Sequence, residues 1–248
     1  MRWSIMSDNP YYLAYEKRYQ AVFAAGIPRW GHADDDSALN EALADWVKEN
    51  GLAGKRVIEY ACGEGASGVI LSRLGCVYCG VDIAPSAVQK ATEALADYPN
   101  ATVRQLDMVN ERVGGQFDAA LDVMGLHMLV TDDDRAQYLA NVTAALKPNA
   151  PALFFRESYR ADAPSCTIHT MEEWLRVTGD DYTTPQVREA LVDGVPHTVS
   201  IPLVPARAKN KADYVAEMEA AGLKVYRFVE MESSRAIIYS ASVYVHKK

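Results

Sequence analysis

Val57-Ile-Glu-Tyr-Ala-Cys-Gly-Glu-Gly-Ala-Ser-Gly68 is the stretch whose reading decides the fold of this chain. A short apolar run carrying an acid, Glu59, breaks into a glycine-rich turn. A helical pattern follows from Ala66 to Arg73, then a second apolar run, Cys76 to Val81, which ends on Asp82. A strand–turn–helix–strand unit of this kind holds a nucleoside cofactor. Its glycines let the backbone pass close to the ligand, and the acid ending the second strand accepts hydrogen bonds from ribose hydroxyls.

Outward from this unit the chain alternates. A polar and aromatic N-terminal region leads through Asp34-Asp-Asp36 into a helix over Ser37–Asn50, with Ser37 as its N-cap. The first strand runs from Arg56 to Tyr60. After the second strand come a helix over Ser86–Tyr98 behind Pro85, strands at Thr102–Leu106 and Phe117–Val123, a helix at Asp133–Leu146 and a strand at Ala152–Arg156. Strands alternating with helices of ten or more residues predict a parallel sheet covered on both faces. Near the end, a helix over Ala212–Ala221 is followed by apolar runs at Lys224–Val229 and Ala236–Val245 with only a short connection. Too few residues separate them for a crossover, so they pair antiparallel. Between Ser158 and Lys211 the pattern is weak and broken by Pro164, Pro185, Pro196, Pro202 and Pro205. A span this long is either a functional cap or a structural embellishment.

Composition bounds the function. With 248 residues the chain fits one α/β domain with an insertion. A net charge of −8 disfavours a nucleic-acid backbone as partner. No apolar run approaches the ~20 residues of a membrane span. Met1–Pro10 carries no apolar core of an export signal. The expectation is a cytoplasmic protein with neither nucleic-acid nor membrane partners. Cys76 and Cys79 fall in one strand, where residues three apart face opposite sides, so all four cysteines read as reduced thiols and no metal site is predicted.

These motifs together resemble the class I S-adenosylmethionine-dependent methyltransferases, over about Trp30 to Lys248. Val57–Gly65 is similar to the first motif, with Ala61 where glycine is common. Gly80-Val-Asp-Ile-Ala-Pro-Ser-Ala-Val88 is similar to the second and Gln105-Leu-Asp-Met108 to the third, where an acid and the next backbone N–H read the adenine. Phe117–Leu129, Tyr138 and Leu146-Lys-Pro148 resemble the fourth strand and the helix after it. The resemblance implies a Rossmann-like, seven-stranded, mostly parallel α/β sheet with an antiparallel C-terminal hairpin. Residues 1–50 would form an N-terminal helical lid, 51–158 the cofactor-binding core and 159–211 an inserted substrate cap. Residues 212–248 would complete the core. It implies S-adenosyl-L-methionine as cofactor, bound by Glu59, Ala61, Gly63, Gly65, Asp82, Ile83, Asp107, Met108, Asp122 and Val123. Pro28-Arg-Trp-Gly31 and the Leu121-Asp122…His127…Leu129 pattern look like the small-molecule branch with thiopurine- and tellurite-type enzymes. There Trp30 would fold over the methionine end of the cofactor, or else anchor the N-terminal helix as a core residue.

Two rival readings remain. Gly63, Gly65 and Gly68 also spell G-x-G-x-x-G, with Asp82 downstream, as in an NAD(P)-dependent oxidoreductase. A pyrophosphate over this turn would meet Glu64 and Glu59, whereas a methionine ammonium would be satisfied by Glu59 directly or through water. A cofactor-binding protein without catalysis is the other.

The expected chemistry is direct displacement at a sulfonium methyl, onto a small-molecule thiol, amine, hydroxyl or carboxylate. A thiol can dispense with a general base; a hydroxyl or ammonium cannot. His127 follows the fourth strand, near the expected methyl position, as catalyst or as structural histidine. Glu157 and Tyr159 join it as catalytic candidates, with Glu157 able to orient an amine. Arg156 would bind a carboxylate. Tyr11, Tyr12, Tyr15 and Tyr19, at helical spacing, present one face that is a lid or a packing stripe. His169, with Trp174, Tyr182 and His197, are cap candidates for the substrate. Asp132-Asp-Asp134 reads as a helix N-terminus satisfied by acids. The cap could equally serve as a homodimer interface.

Overall fold

Seven strands form one sheet in this computed structural model, which describes residues 10–180, 182, 184–192, 195–232 and 239–248. The strands are β1 (Arg56–Tyr60), β2 (Val77–Asp82), β3 (Ala101–Gln105), β4 (Ala119–Val123), β5 (Pro151–Ser158), β8 (Leu223–Glu232) and β9 (Tyr239–Lys247). Their order is β3-β2-β1-β4-β5-β9-β8, parallel except for β9, which runs antiparallel to both β5 and β8. This is the Rossmann-like sheet with an antiparallel ending that the sequence predicts. The strand order reverses between β1 and β4, so a crevice opens at their carboxyl ends, the usual ligand position in such sheets. Met1–Pro10, read for an export signal, falls outside the described residues apart from Pro10, as do residues 236–238 of the last apolar run.

Helices cover both faces because the central strands bury both. On one face Leu39, Leu43 and Trp46 of α2 (Ser37–Asn50) and Val69, Ile70 and Leu71 of α3 (Ala66–Arg73) pack on Val57, Tyr78, Leu121, Leu153 and Phe155. On the other, Tyr138, Leu139 and Val142 of α5 (Asp132–Ala145) and Tyr214 and Met218 of α7 (Lys211–Ala220) pack on Ile58, Tyr60, Ala120, Phe154 and Val243. Helix α4 (Pro85–Ala94) opens with proline at its first turn and borders β2 and β3. The N-terminal tyrosines form a 3-10 turn (Tyr11–Leu13) that runs into α1 (Ala14–Ala24).

Local details differ from expectation. The N-cap of α2 is Asp36, whose carboxylate accepts from the Leu39 amide at 3.0 Å, not Ser37. A carboxylate satisfies the orphan amides and also suits the positive end of the helix dipole. Strand β2 begins one residue later, leaving Cys76 just before it. Residues 159–211 contain α6 (Met171–Thr178) and a hairpin of β6 (Gln186–Val192) and β7 (Val195–Ile201). This hairpin escaped the sequence reading because little of it is buried: Val187 and Val195 are 70% and 54% exposed, so no alternating pattern marks it.

Gly68 shows how tightly α3 sits on the sheet. A Cβ there would stand 2.6 Å from the Tyr78 ring and 3.1 Å from Leu95 Cδ1. Alanine gains about 1 kcal/mol of helix propensity, but overpacking costs about 1–3 kcal/mol. Gly68→Ala should therefore lower stability, read as a smaller midpoint in urea with an unchanged slope.

Candidate active site

The turn after β1 is held in the left-handed region by three residues: Ala61 at φ 54°, Gly63 at 52° and Gly65 at 86°. Gly63 is required twice over, because a Cβ there would also lie 3.1 Å from the Tyr19 hydroxyl. Gly65 lets α3 approach α4, since its Cβ would stand 3.0 Å from the Ala91 Cα. Asp82, 6% exposed at the end of β2, fixes this turn. Its Oδ2 accepts from the Gly63 amide and its Oδ1 from the Ala84 amide, each at 2.9 Å. Burial pushes its carboxyl up to about 6.

Above the turn lies a cleft enclosing about 560 Å³ of empty space, its mouth included. Ala61, Asp82, Ile83, Asp107, Met108 and Val109 form its floor and one wall, and Gly125, Met128, Leu129 and Tyr138 form the other. Tyr12, Tyr15 and Tyr19 close the top. The tyrosine face of the N-terminal segment is thus a roof, pinned on several sides. The Tyr12 hydroxyl donates to both oxygens of Asp107 at 3.3 Å, and Glu16 accepts from the Ser86 amide at 3.1 Å and hydroxyl at 2.7 Å. The Tyr15 hydroxyl donates to the Pro205 carbonyl at 2.8 Å. Among the described residues two carboxylates and no lysine or arginine line the cleft, and Glu64 accepts from the Trp30 and Gly31 amides at 2.7 and 2.8 Å beside the turn. A pyrophosphate finds no cation here, whereas paired hydroxyls and a positive sulfonium meet acceptors. These groups suit a nucleoside of the S-adenosylmethionine type: Asp82 would take ribose hydroxyls, Asp107 the adenine edge, and the Gly63 turn the amino-acid end.

Several candidates stand elsewhere. Glu59 is 1% exposed, off the cleft wall, with its carboxylate taking the Tyr78 hydroxyl. It braces β1 against β2. Trp30 packs with Val22, Ile27, Val199 and Ile201 outside the cleft, under Arg18 at 4.7 Å from its ring. Val123 is buried against the α2–α3 layer. Tyr11 accepts from the Val130 amide at 2.9 Å and packs toward Trp174. Tyr159 lies edge-on to Phe228, 5.5 Å between ring centres, and is remote from the cleft wall. His169 is a surface residue 3.3 Å from Asp133. Trp174 donates to the Tyr182 hydroxyl at 3.0 Å, and His197 is exposed on β7. Arg156 does bind a carboxylate, but one of this chain: Asp36, at 2.6 and 3.1 Å. Cleft residues that sequence reasoning missed are Val109, Gly125, Met128, Leu129 and Tyr138. The apolar Gly125-to-Leu129 run after β4 was the available signal for most of them.

Residues 159–211 reach the site through its supports. Val199 and Ile201 pack on Val22 and Ile27 around the lid helix. Arg207 donates its amide to the His127 carbonyl and its guanidinium to the Val130 carbonyl, both at 2.8 Å. From α5, Arg135 donates to the Leu126 and Leu129 carbonyls at 2.8 and 3.1 Å. The loop following β4 is therefore fixed at four carbonyls, those of Leu126, His127, Leu129 and Val130.

A bulge in β5 completes the arrangement. Pairing with β9 shifts register between Phe154 and Glu157, and Arg156 takes φ 57°. Phe155 and Arg156 consequently both face the α2 side, and Glu157 turns to the side of Asp122. There its Oε2 accepts from the His127 amide at 2.7 Å and meets His127 Nδ1 at 2.9 Å, with both side chains 5% exposed or less. Asp122, 2% exposed and away from the cleft lining, accepts from the Gly125 amide at 2.6 Å and the Tyr138 hydroxyl at 2.5 Å. His127 itself sits behind the wall formed by its neighbours Gly125 and Met128. Burial holds its imidazole below the usual range, at about 4, so it is neutral near pH 7.

Comparison with known proteins agrees with this geometry. The chain has the fold of S-adenosylmethionine-dependent methyltransferases. It superposes on Burkholderia thailandensis 1,6-didemethyltoxoflavin-N1-methyltransferase, solved with 1,6-didemethyltoxoflavin and S-adenosylhomocysteine, with TM-score 0.67 and 14% identity over 100% of this chain and 93% of that one. For Synechocystis magnesium protoporphyrin IX methyltransferase with S-adenosylhomocysteine the values are 0.65 and 14%, over 96% and 100%. Residues 57–149 match the profile of a methyltransferase domain. Ubiquinone biosynthesis O-methyltransferase of Pseudomonas aeruginosa is 30% identical over 139 residues, 52% of this chain and 57% of that protein. The enzyme of that name from Xanthomonas oryzae pv. oryzae is 32% identical over 137 residues, 51% and 55%. The chain spans little more than half the length of these curated relatives.

Burial raises the Glu59 carboxyl to about 8, against the pull of its Tyr78 and Ser67 hydrogen bonds. A carboxyl raised on folding contributes stability that is complete below its ordinary range and lost as pH climbs through its folded value. Glu59→Gln keeps the shape and removes the ionisation. Thermal unfolding should show wild type losing more stability than the variant between about pH 4.5 and about pH 8, by at most about 1.4 kcal/mol per pH unit. Equal losses would place the acid in a solvated site.

Proposed function

We propose that this protein methylates a hydroxyl group of a small, largely apolar molecule, with S-adenosylmethionine as donor. The observation that carries the donor is the cleft over the Gly63 turn, with Asp82 and Asp107 as its ionisable acids and no cation on its walls. S-adenosylmethionine, when bound, supplies an electrophilic methyl group on a sulfonium. The chain has to align an acceptor oxygen behind that group, exclude water and take up a proton. The tyrosine roof and the Met128–Leu129 wall exclude water and suit a planar ring. Alignment of this kind is worth up to ~7–11 kcal/mol in favourable intramolecular cases.

The choice of hydroxyl over thiol rests on His127. A thiol ionises near neutral pH without help, whereas a hydroxyl requires a base, and the Glu157–His127 pair is built as one. With Oε2 of Glu157 against Nδ1, Nε2 is the ring nitrogen left to take up the acceptor's proton, from behind the Gly125–Met128 wall. The O-methyltransferase relatives, which align over about half of the chain, support this choice. The thiopurine- and tellurite-type resemblance loses its first support with Trp30 outside the cleft. We place the reaction in the cytoplasm, because all four cysteines are free. No helix among the described residues is long and apolar enough to cross a membrane.

Turnover of labelled methyl donor with a panel of phenols, thiols and amines tests the proposal. Phenols should be methylated, and His127→Asn should lower kcat about 10²–10⁴-fold with little change in KM. Preference for thiols, or a variant within a few-fold of wild type, would overturn the hydroxyl assignment.

A further inference from the structure

The second oxygen of Glu157 poses a problem that the hydroxyl-methylation reading leaves open. Oε1 is buried and has no hydrogen-bond donor among the described residues, although Glu157 is 0% exposed. An ionised carboxylate with an orphaned oxygen is costly in such a site, because the lost hydration is not replaced. The neighbour able to satisfy it is another acid, Asp122, which interacts with Glu157 directly. Two ionised carboxylates in contact, both at least 98% buried, repel each other strongly.

Charge in the surroundings points to one ionised acid. The groups facing the pair are His127 on the loop, Glu59 on β1 (its own carboxyl raised by burial), Tyr138 and Arg135 on α5, Tyr214 and Glu217 on α7, and Tyr15 on α1. Arg135 holds Glu217 at 2.5 Å; Lys209 holds Glu217 at 2.8 Å and Asp132 at 3.0 Å; Arg207 holds Asp132 at 3.0 Å. Three cations against the two acids Glu217 and Asp132 leave one positive charge. A single ionised carboxylate balances it, and two would leave the network negative.

We propose that Asp122 and Glu157 share one proton, carried by Asp122 and donated to Glu157 Oε1, so that the remaining carboxylate charge on Glu157 fixes His127 as the Nδ1–H tautomer. Tyr138 and the Gly125 amide hold Asp122 in place, and the Arg156 bulge brings Glu157 onto it. Burial and mutual repulsion raise both acids, with Glu157 at about 7 and Asp122 well above its ordinary range. Such a pair titrates as a unit. Asp122 acts as a positioning residue: it keeps a charged partner behind the imidazole without adding a second charge. During reaction the acceptor O–H bond breaks, its proton forms an N–H bond at His127 Nε2, and Glu157 stabilises the resulting imidazolium. That last role rests on the proposed methyl transfer; the shared proton does not.

Infrared difference spectroscopy on the full chain near neutral pH, with Asp122→Asn, Glu157→Gln and the double variant, tests it without reading activity. Each amide is isosteric with a protonated acid. Asp122→Asn should delete one protonated-carboxyl C=O band, and adding Glu157→Gln should then delete an ionised carboxylate. Loss of ionised carboxylate at the first step would show both acids charged, and loss of a protonated band at both steps would show both neutral; either result overturns the proposal. Nitrogen-15 NMR of histidine-labelled wild type should report His127 as neutral with its proton on Nδ1. A proton on Nε2 would overturn it even if the variants failed to fold. Correct spectra without methyl transfer would sink the function alone.

Discussion

Two hydrogen bonds from backbone amides to the Asp82 carboxylate organise this molecule. One amide, Gly63, belongs to the turn after β1 and the other, Ala84, to the turn after β2. A single side chain thereby ties together the two loops at the centre of the sheet, where strand order reverses. Charge-assisted bonds of this kind contribute about 1.5–3 kcal/mol each, enough to hold a turn whose residues occupy the left-handed region. The positive φ of Gly63 and the placement of α3 and α4 all follow from that tie.

Backbone strain collects at the same edge of the sheet. Ala61 after β1, Met124 after β4 and Arg156 in β5 each take a positive φ near 60° without being glycine. Each such residue costs on the order of 1–3 kcal/mol and persists only where its surroundings hold it. Arg156 is held by Asp36, so the N-cap of α2 also stabilises the bulge that aims Glu157. Lid, helix α2 and strand β5 are in this way one mechanical unit around the cleft.

Much of this was legible in the sequence, for a physical reason. Central strands buried on both faces read as apolar runs, and the turn chemistry of Gly63 and Gly65 leaves a local mark. Asp82 and the tyrosine face of the N-terminal segment could be found from spacing, and Asp107 from the resemblance of its motif. What escaped depends on direction. Glu59 looks like a ligand residue until Tyr78 is seen to occupy it. Arg156 carries no glycine to announce a bulge, so the facing of Glu157 could not be read from alternation. The β6–β7 hairpin lies mostly in solvent and has no pattern to show.

The central claim is that the cleft over Asp82 binds a methyl-donor nucleoside. Calorimetric titration of S-adenosylhomocysteine, with NAD as control, tests it most directly, repeated on Asp82→Ala. The account predicts micromolar binding of S-adenosylhomocysteine, its loss in the variant, and silence with NAD. Binding of NAD, or no binding of S-adenosylhomocysteine to the wild type, would contradict it.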